Sequence, residues 1–138
     1  MREKGLVQLI SYVFIILITL ISCSSNKQLT ANNIVDSFIS ADLEVVQPEP
    51  MKKDDYGLAP YVCEGTHFFI PSLCEDCGGR IFICDTDEDL ELLKNYYEEL
   101  GRVSAVFFSW VLTKDNVLIQ INGALDEDVA KKYEEAIP

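Results

Sequence analysis

Residues 66–84 read THFFIPSLCEDCGGRIFIC, and this stretch indicates the fold class. Its first five and last five residues are rich in aromatic and β-branched side chains, which is typical of strands. The nine residues between them include Pro, Ser and two consecutive Gly residues, which are typical of a loop. We therefore predict a β-hairpin in which residues 66–70 pair with residues 80–84 across a long loop.

Three segments outside this hairpin have apolar residues at helical spacing, which predicts three amphipathic helices. The first begins after Thr30 and the second after Thr86, because threonine often caps a helix N-terminus. The second is expected to end at Gly101, and the third spans residues 126–137. Their apolar positions are Ile34, Val35, Phe38 and Ile39 in the first, Leu90, Leu93, Tyr97 and Leu100 in the second, and Val129, Tyr133 and Ile137 in the third.

The remaining segments predict further strands. Residues 43–46 are expected to form a short strand, and the proline-containing residues 47–60 a surface loop. Residues 103–113 and 117–122 are expected to form a second hairpin that turns at residues 114–116. The element order is then α-β-β-β-α-β-β-α in one domain, residues 30–138. This order predicts an α+β fold, a largely antiparallel sheet with its helices on one face.

The N-terminus has the pattern of an export signal. Arg2 and Lys4 precede an uncharged apolar run at residues 5–21, which leads to the sequence Leu20-Ile21-Ser22-Cys23. This tetrad resembles the lipobox of bacterial lipoproteins, in which the cysteine receives a diacylglycerol before cleavage in front of it. We expect residues 1–22 to be a lipoprotein signal peptide, Cys23 to be lipidated, and residues 23–29 to be a tether. An uncleaved membrane anchor and an ordinary secretory signal are the alternatives. The lipoprotein prediction places the domain on the extracytoplasmic side of the cell membrane.

The charge balance excludes some partners. The chain has 11 basic and 23 acidic residues, and removal of residues 1–22 leaves 9 and 22, a net charge of −13. Nucleic-acid binding depends on Lys and Arg that neutralise phosphates, so this composition argues against it. Docking on anionic lipid through a basic face is disfavoured for the same reason.

Four cysteines of the domain allow three interpretations. The motif Cys74-Glu75-Asp76-Cys77 followed by glycine resembles half of a zinc ribbon, which Cys63 and Cys84 could complete. However, at roughly 3.3 Å per strand residue, Cys84 would lie more than about 10 Å from the two loop cysteines, so one zinc ion could not bind all four. A thiol redox pair is the second interpretation, although the two acids would raise the thiol pKa. The third is a pair of structural disulfides, Cys63–Cys84 and Cys74–Cys77.

Other residues that could carry chemistry have structural explanations. Acids at positions 85, 87 and 89 resemble the start of a calcium loop, but the later EF-hand positions hold Leu90 and Tyr96, so helix capping explains them better. His67 is expected to be packed or exposed within a strand. Phe107, Phe108 and Trp110 are expected to fill the core, although one face of their strand could meet a partner.

Several stretches of the domain resemble small uncharacterised lipoproteins of Bacillus-type bacteria, sometimes labelled stress proteins. These stretches are residues 33–38 (NIVDSF), 64–66 (EGT), 70–73 (IPSL), 78–82 (GGRIF), 108–110 (FSW) and 120–123 (QING). The resemblance implies an anchored extracytoplasmic domain and carries no known activity, so it transfers no functional residue.

We find no catalytic constellation, no cofactor motif and no metal-ligand set. The sequence therefore favours a non-enzymatic, lipid-anchored module that is held at the membrane and binds an unidentified protein or small ligand. The alternative function is that of a thiol-disulfide or metal-thiolate protein acting through Cys74 and Cys77.

Overall fold

The long-looped hairpin lies at the centre of a five-stranded antiparallel sheet. The computed structural model describes residues 29–138. Its order, α-β-β-β-α-β-β-α, confirms the predicted α+β fold. The elements are α1 (Ala31–Ser40), β1 (Val46–Pro50), β2 (Glu64–Phe69), β3 (Gly78–Ile83), α2 (Asp87–Val103), β4 (Ser109–Lys114), β5 (Val117–Asn122) and α3 (Glu127–Glu135).

Within the sheet the strand order is β1-β2-β3-β5-β4, and all neighbouring strands are antiparallel. The first hairpin pairs Glu64 with Ile83 at one end and Phe69 with Gly78 at the other. The second hairpin joins the first through β5, which lies between β3 and β4. Both predicted hairpins are therefore present, and they share one sheet.

Helices cover both faces of the sheet, which corrects the expectation that they share one face. Side chains alternate along a strand, so Ile81 and Phe82 point to opposite faces. Ile81 belongs to a core that includes α1 and α3, and we call this side the closed face. Phe82 belongs to a second core that includes α2, and we call this side the open face. The physical reason is that β3 and β5 are apolar on both sides, so each side needs a cover.

The two predicted threonine caps are confirmed. The Thr30 hydroxyl accepts a hydrogen bond from the Asn33 N–H at 3.3 Å, and the Thr86 hydroxyl accepts one from the Asp89 N–H at 3.1 Å. The acids of the first turn of α2 therefore lie at the positive end of a helix, as capping requires.

Three boundaries differ from the sequence-based expectation. The first strand is Val46–Pro50 instead of residues 43–46, and its prolines are tolerated because β1 is an edge strand. Helix α2 continues past Gly101 to Val103, because this glycine does not adopt the left-handed conformation of a helix cap. A single 3₁₀ turn, Ala105–Phe107, then delays the start of β4 to Ser109.

The sheet has two distinguishable ends. Leu29, where the described chain begins, lines the same cavity as Glu64 and Ile83, which form the first β2–β3 pair. We call this the Leu29 end. The opposite end carries the loop between Phe69 and Gly78, and we call it the loop end.

Candidate functional site

The four cysteines of the domain form two disulfides at opposite ends of the β2–β3 hairpin. Cys63 and Cys84 are joined at the Leu29 end with their Cα atoms 4.5 Å apart, and both are buried. Cys74 and Cys77 are joined in the loop with Cα atoms 5.0 Å apart. The zinc arrangement that would unite all four is therefore absent from the structure. Within residues 29–138, no group of three or more His, Cys, Asp or Glu side chains is placed to hold a metal ion.

Cys23 and the predicted signal peptide lie outside the described residues. Within residues 29–138, no helix is long and apolar enough to cross a membrane.

The Cys74–Cys77 loop is held against the rest of the domain by backbone hydrogen bonds. The Cys77 N–H donates to the Cys74 carbonyl at 3.2 Å, and the Cys77 carbonyl accepts from the Ile70 N–H at 2.8 Å. Cys74 is exposed, whereas Cys77 is 7% exposed. The disulfide thus closes a tight turn that places Asp76 beside the open face of the sheet.

A polar cleft of about 270 Å³ lies on the open face at the loop end. Three neighbouring strands contribute its floor, because His67 of β2 is directly opposite Arg80 of β3, and Arg80 is directly opposite Gln120 of β5. Phe69, Asn122 and, from the loop, Asp76 also line the cleft. Cross-strand pairing therefore brings together polar side chains that are far apart in the sequence.

The cleft is rich in hydrogen-bond donors. Arg80 Nη1 donates to Gln120 Oε1 at 3.0 Å, and the Ala124 N–H donates to Asn122 Oδ1 at 2.9 Å. Each amide oxygen is thereby occupied, which leaves the two amide nitrogens as donors. Among residues 29–138, neither Gln120 Nε2 nor Asn122 Nδ2 has an acceptor.

Arg80 has an unusual electrostatic environment for this acidic chain. It is half-buried, yet no carboxylate of residues 29–138 lies within 4.0 Å of its guanidinium. Arg102 on α2, in contrast, is exposed and pairs with Glu98 at 3.9 Å and with Glu99. Burial raises the pKa of Tyr97, and the nearby Arg80 charge acts in the opposite direction.

An exposed apolar surface also lies at the loop end. Val103, Val106, Phe107 and Phe108 are 79%, 86%, 59% and 43% exposed. The expectation that Phe107 and Phe108 fill the core is therefore wrong, because the 3₁₀ turn carries them outside the sheet. Trp110 is part-buried against the closed-face core, and its Nε1 donates to the Leu125 carbonyl at 2.8 Å.

Sequence reasoning considered His67 only as a packed or exposed strand residue, and it missed the three residues that accompany His67 in the cleft, Arg80, Gln120 and Asn122. His67 is half-buried, and its ring meets the Phe69 ring edge-on with centroids 5.6 Å apart. The available signal was the alternation in RIFIC and VLIQIN, where Arg80 and Gln120 interrupt otherwise apolar strands. Two such polar positions on neighbouring strands form a site only if the strand register aligns them, and the sequence does not give that register.

Comparison of this chain with protein-family models, with curated proteins and with solved structures gives no match.

Proposed function

We propose that the protein is a lipid-anchored binding module on the extracytoplasmic side of the cell membrane, attached through Cys23. The observation that carries the proposal is that the attachment side and the candidate site lie at opposite ends of the sheet. The described chain begins at the Leu29 end, whereas the polar cleft and the exposed apolar surface both lie at the loop end. Such a domain can be attached at one end while the other end stays accessible to a ligand.

Two further features support an extracytoplasmic, non-enzymatic role. Disulfides persist mainly in oxidising environments, and residues 29–138 contain two of them. The cleft offers donors but no paired nucleophile and base, because His67 makes no hydrogen bond to a hydroxyl, thiol or carboxylate of these residues. Its composition therefore favours binding over covalent catalysis.

The anchor is tested by intact mass spectrometry of the full-length gene product recovered from membranes. We expect a mature chain that begins at Cys23 and carries a diacylglycerol. The Cys23→Ser variant, as the control, should keep its signal peptide and lack the adduct. An unmodified Cys23, or a mature N-terminus elsewhere, would contradict the proposal.

The side of the membrane is tested by adding a protease to intact protoplasts. An extracytoplasmic domain should be degraded under these conditions, while a cytoplasmic marker protein stays intact. Protection of the domain until the protoplasts are lysed would exclude the proposed location.

A thiol-disulfide function is the second candidate, and the unequal exposure of the loop cysteines favours it. A thiolate from another protein would reach the exposed Cys74 sulfur, form a mixed disulfide with it and release Cys77 as the thiolate. In the Cys77→Ala variant, the free Cys74 thiolate should attack a disulfide of an oxidised partner, release the partner's second thiolate and stay linked, because Cys77 is missing and cannot displace the partner. Cys74→Ala should trap none, because Cys77 is buried. Equal trapping by both variants, or by neither, would reject this candidate.

A further inference from the structure

We propose that the cleft beneath the Cys74–Cys77 loop, with Arg80 at its floor and Asp76 at its rim, binds a free amino acid. The inference rests on the proposed function as a binding module and specifies its ligand. It depends on three properties of the cleft, namely an unpaired cation, a set of neutral donors and an opposite charge held at the rim.

The unpaired cation provides the carboxylate site. A guanidinium has five N–H donors, and within residues 29–138 Arg80 finds only neutral side-chain acceptors, the Gln120 amide oxygen and the Tyr97 hydroxyl. A half-buried charge without a counter-ion is unfavourable, so a carboxylate that enters the cleft gains more there than in water. Arginine and carboxylate also match geometrically through two parallel hydrogen bonds.

The neutral donors add to this preference. Gln120 Nε2 and Asn122 Nδ2 lack acceptors in the described chain, and both residues line the same cleft as Arg80. Together these groups can satisfy several lone pairs of a carboxylate.

Asp76 distinguishes an amino acid from a simple anion. It lines the same cleft as Arg80, yet no Asp76 oxygen lies within 4.0 Å of an Arg80 nitrogen. The two opposite charges therefore do not neutralise each other by direct contact. A ligand with a carboxylate at Arg80 and an ammonium group at Asp76 satisfies both, whereas a multivalent anion such as phosphate would be repelled by Asp76.

The size of the cleft sets the class of zwitterion. Its volume of about 270 Å³ is below the usual range for drug-sized ligands, which favours a molecule as small as one amino acid. Phe69 is the half-buried aromatic residue in the lining and offers an apolar contact for a side chain. The Cys74–Cys77 disulfide then acts as a positioning element, because it fixes the turn that carries Asp76.

The experiment uses the full mature chain in detergent micelles, labelled with ¹⁵N. The side-chain amide signals of Gln120 and Asn122 report directly on the cleft, and the exposed amide of Gln47 on β1 serves as an internal reference. The probes are L-alanine, L-leucine, L-phenylalanine, L-glutamate and L-lysine at millimolar concentration. We expect at least one of them to shift the two cleft signals and leave Gln47 unchanged.

Matched derivatives of the shifting amino acid test each charge separately. Its N-acetyl derivative lacks the ammonium group and its amide lacks the carboxylate, so each should bind about tenfold more weakly or worse. Acetate and inorganic phosphate should also bind more weakly than the amino acid. Equal binding of acetate and the amino acid, or no response to any amino acid, would overturn the inference.

Three variants complete the test. Arg80→Gln should abolish the shifts, and Arg102→Gln, which removes the arginine paired with Glu98 and Glu99, should leave them unchanged. Asp76→Asn changes an exposed loop residue, so the fold should persist while the preference for the amino acid over its N-acetyl derivative is lost. Retention of that preference would refute the role of Asp76.

Failure of this inference and failure of the proposed function give different results. If Cys23 is lipidated and the cleft does not respond to amino acids, the anchored module stands and the amino-acid site is refuted. An unmodified Cys23 together with a responsive cleft supports the site and removes the anchor.

Discussion

The two faces of the sheet differ in how completely helices cover them. On the closed face, α1 and α3 pack against Phe68, Ile81 and Ile119, and these three residues are at most 1% exposed. On the open face, α2 is the single helix, and together with Tyr56 it packs against Phe82 and Leu118 but leaves the Arg80 row only partly covered. The closed face therefore supplies most of the buried core, and the open face supplies the candidate site.

The difference has a geometric cause. Five strands about 4.8 Å apart give a sheet roughly 19 Å wide, whereas a helix with its side chains is about 10–12 Å across. Two helices can cover such a sheet and one helix cannot. Substitutions on the closed face should therefore mainly lower stability, whereas substitutions in the Arg80 row of the open face should mainly weaken binding.

The largest loss of stability is expected from Phe38→Ala on the closed face. Phe38 is fully buried, and its ring meets the Tyr133 ring edge-on with centroids 5.0 Å apart. Removal of the ring should lower the free energy of unfolding by about 3–5 kcal/mol in urea denaturation. Ile39→Ala, one residue further on the same helix and 55% exposed, is the matched control and should change it by about 0.5 kcal/mol or less. Similar losses for both variants would show that α1 does not close this face as described.

The two disulfides should contribute unequally. Cys63 and Cys84 are 21 residues apart, whereas Cys74 and Cys77 are three apart, so the first bridge restricts the unfolded chain more. Replacement of Cys63 and Cys84 by alanine should lower the free energy of unfolding by about 3 kcal/mol, and replacement of Cys74 and Cys77 by about 2 kcal/mol, as measured by urea denaturation. The domain without Cys74 and Cys77 should remain folded. Unfolding of that variant would mean that the loop, and not the two cores, holds the fold.

Alkaline pH should destabilise the domain through one buried tyrosine on each face. Burial is the largest cause that raises the pKa of Tyr56 on the open face and of Tyr133 on the closed face from 10.0 to about 12. The unfolded chain loses these protons first, so stability is full below pH 10 and falls as the pH rises toward 12. Tyr56→Phe and Tyr133→Phe should each reduce this pH dependence in thermal melts at pH 8 to 12. A dependence that both variants leave unchanged would refute the assignment.

Only a small change in stability is expected from Arg80→Met on the open face. The substitution removes a half-buried charge that has no carboxylate partner and keeps an unbranched side chain over the sheet. The free energy of unfolding should stay within about 1 kcal/mol of the original value or increase. A loss above about 2 kcal/mol would show that Arg80 is a structural residue and would weaken its assignment to a binding site.

Much of the fold follows from local patterns in the sequence. Thr30 and Thr86 mark two helix starts because their hydroxyls satisfy free backbone N–H groups of the first turn. The two apolar runs predicted the central hairpin and the proximity of Cys63 to Cys84, but not its register, because Thr66 lies opposite Ile81. Local patterns did not locate β1 or the 3₁₀ turn before β4. The prolines of β1 indicated a loop, but an edge strand tolerates proline. The apolar run VSAVFF indicated a strand, but it contains a 3₁₀ turn that lies outside the sheet.

The sequence by itself determined the element types, their order and the α+β class, because capping, periodicity and turn residues act over a few neighbouring positions. The tertiary structure decided which face each helix covers, since an apolar strand residue such as Phe82 does not specify which element will cover it. Tertiary structure also decided the candidate site. His67 precedes Arg80 by 13 residues, and Arg80 precedes Gln120 by 40. Only the pairing of β2, β3 and β5 places the three side by side. Long-range strand register therefore created the cleft from residues that have no local relationship.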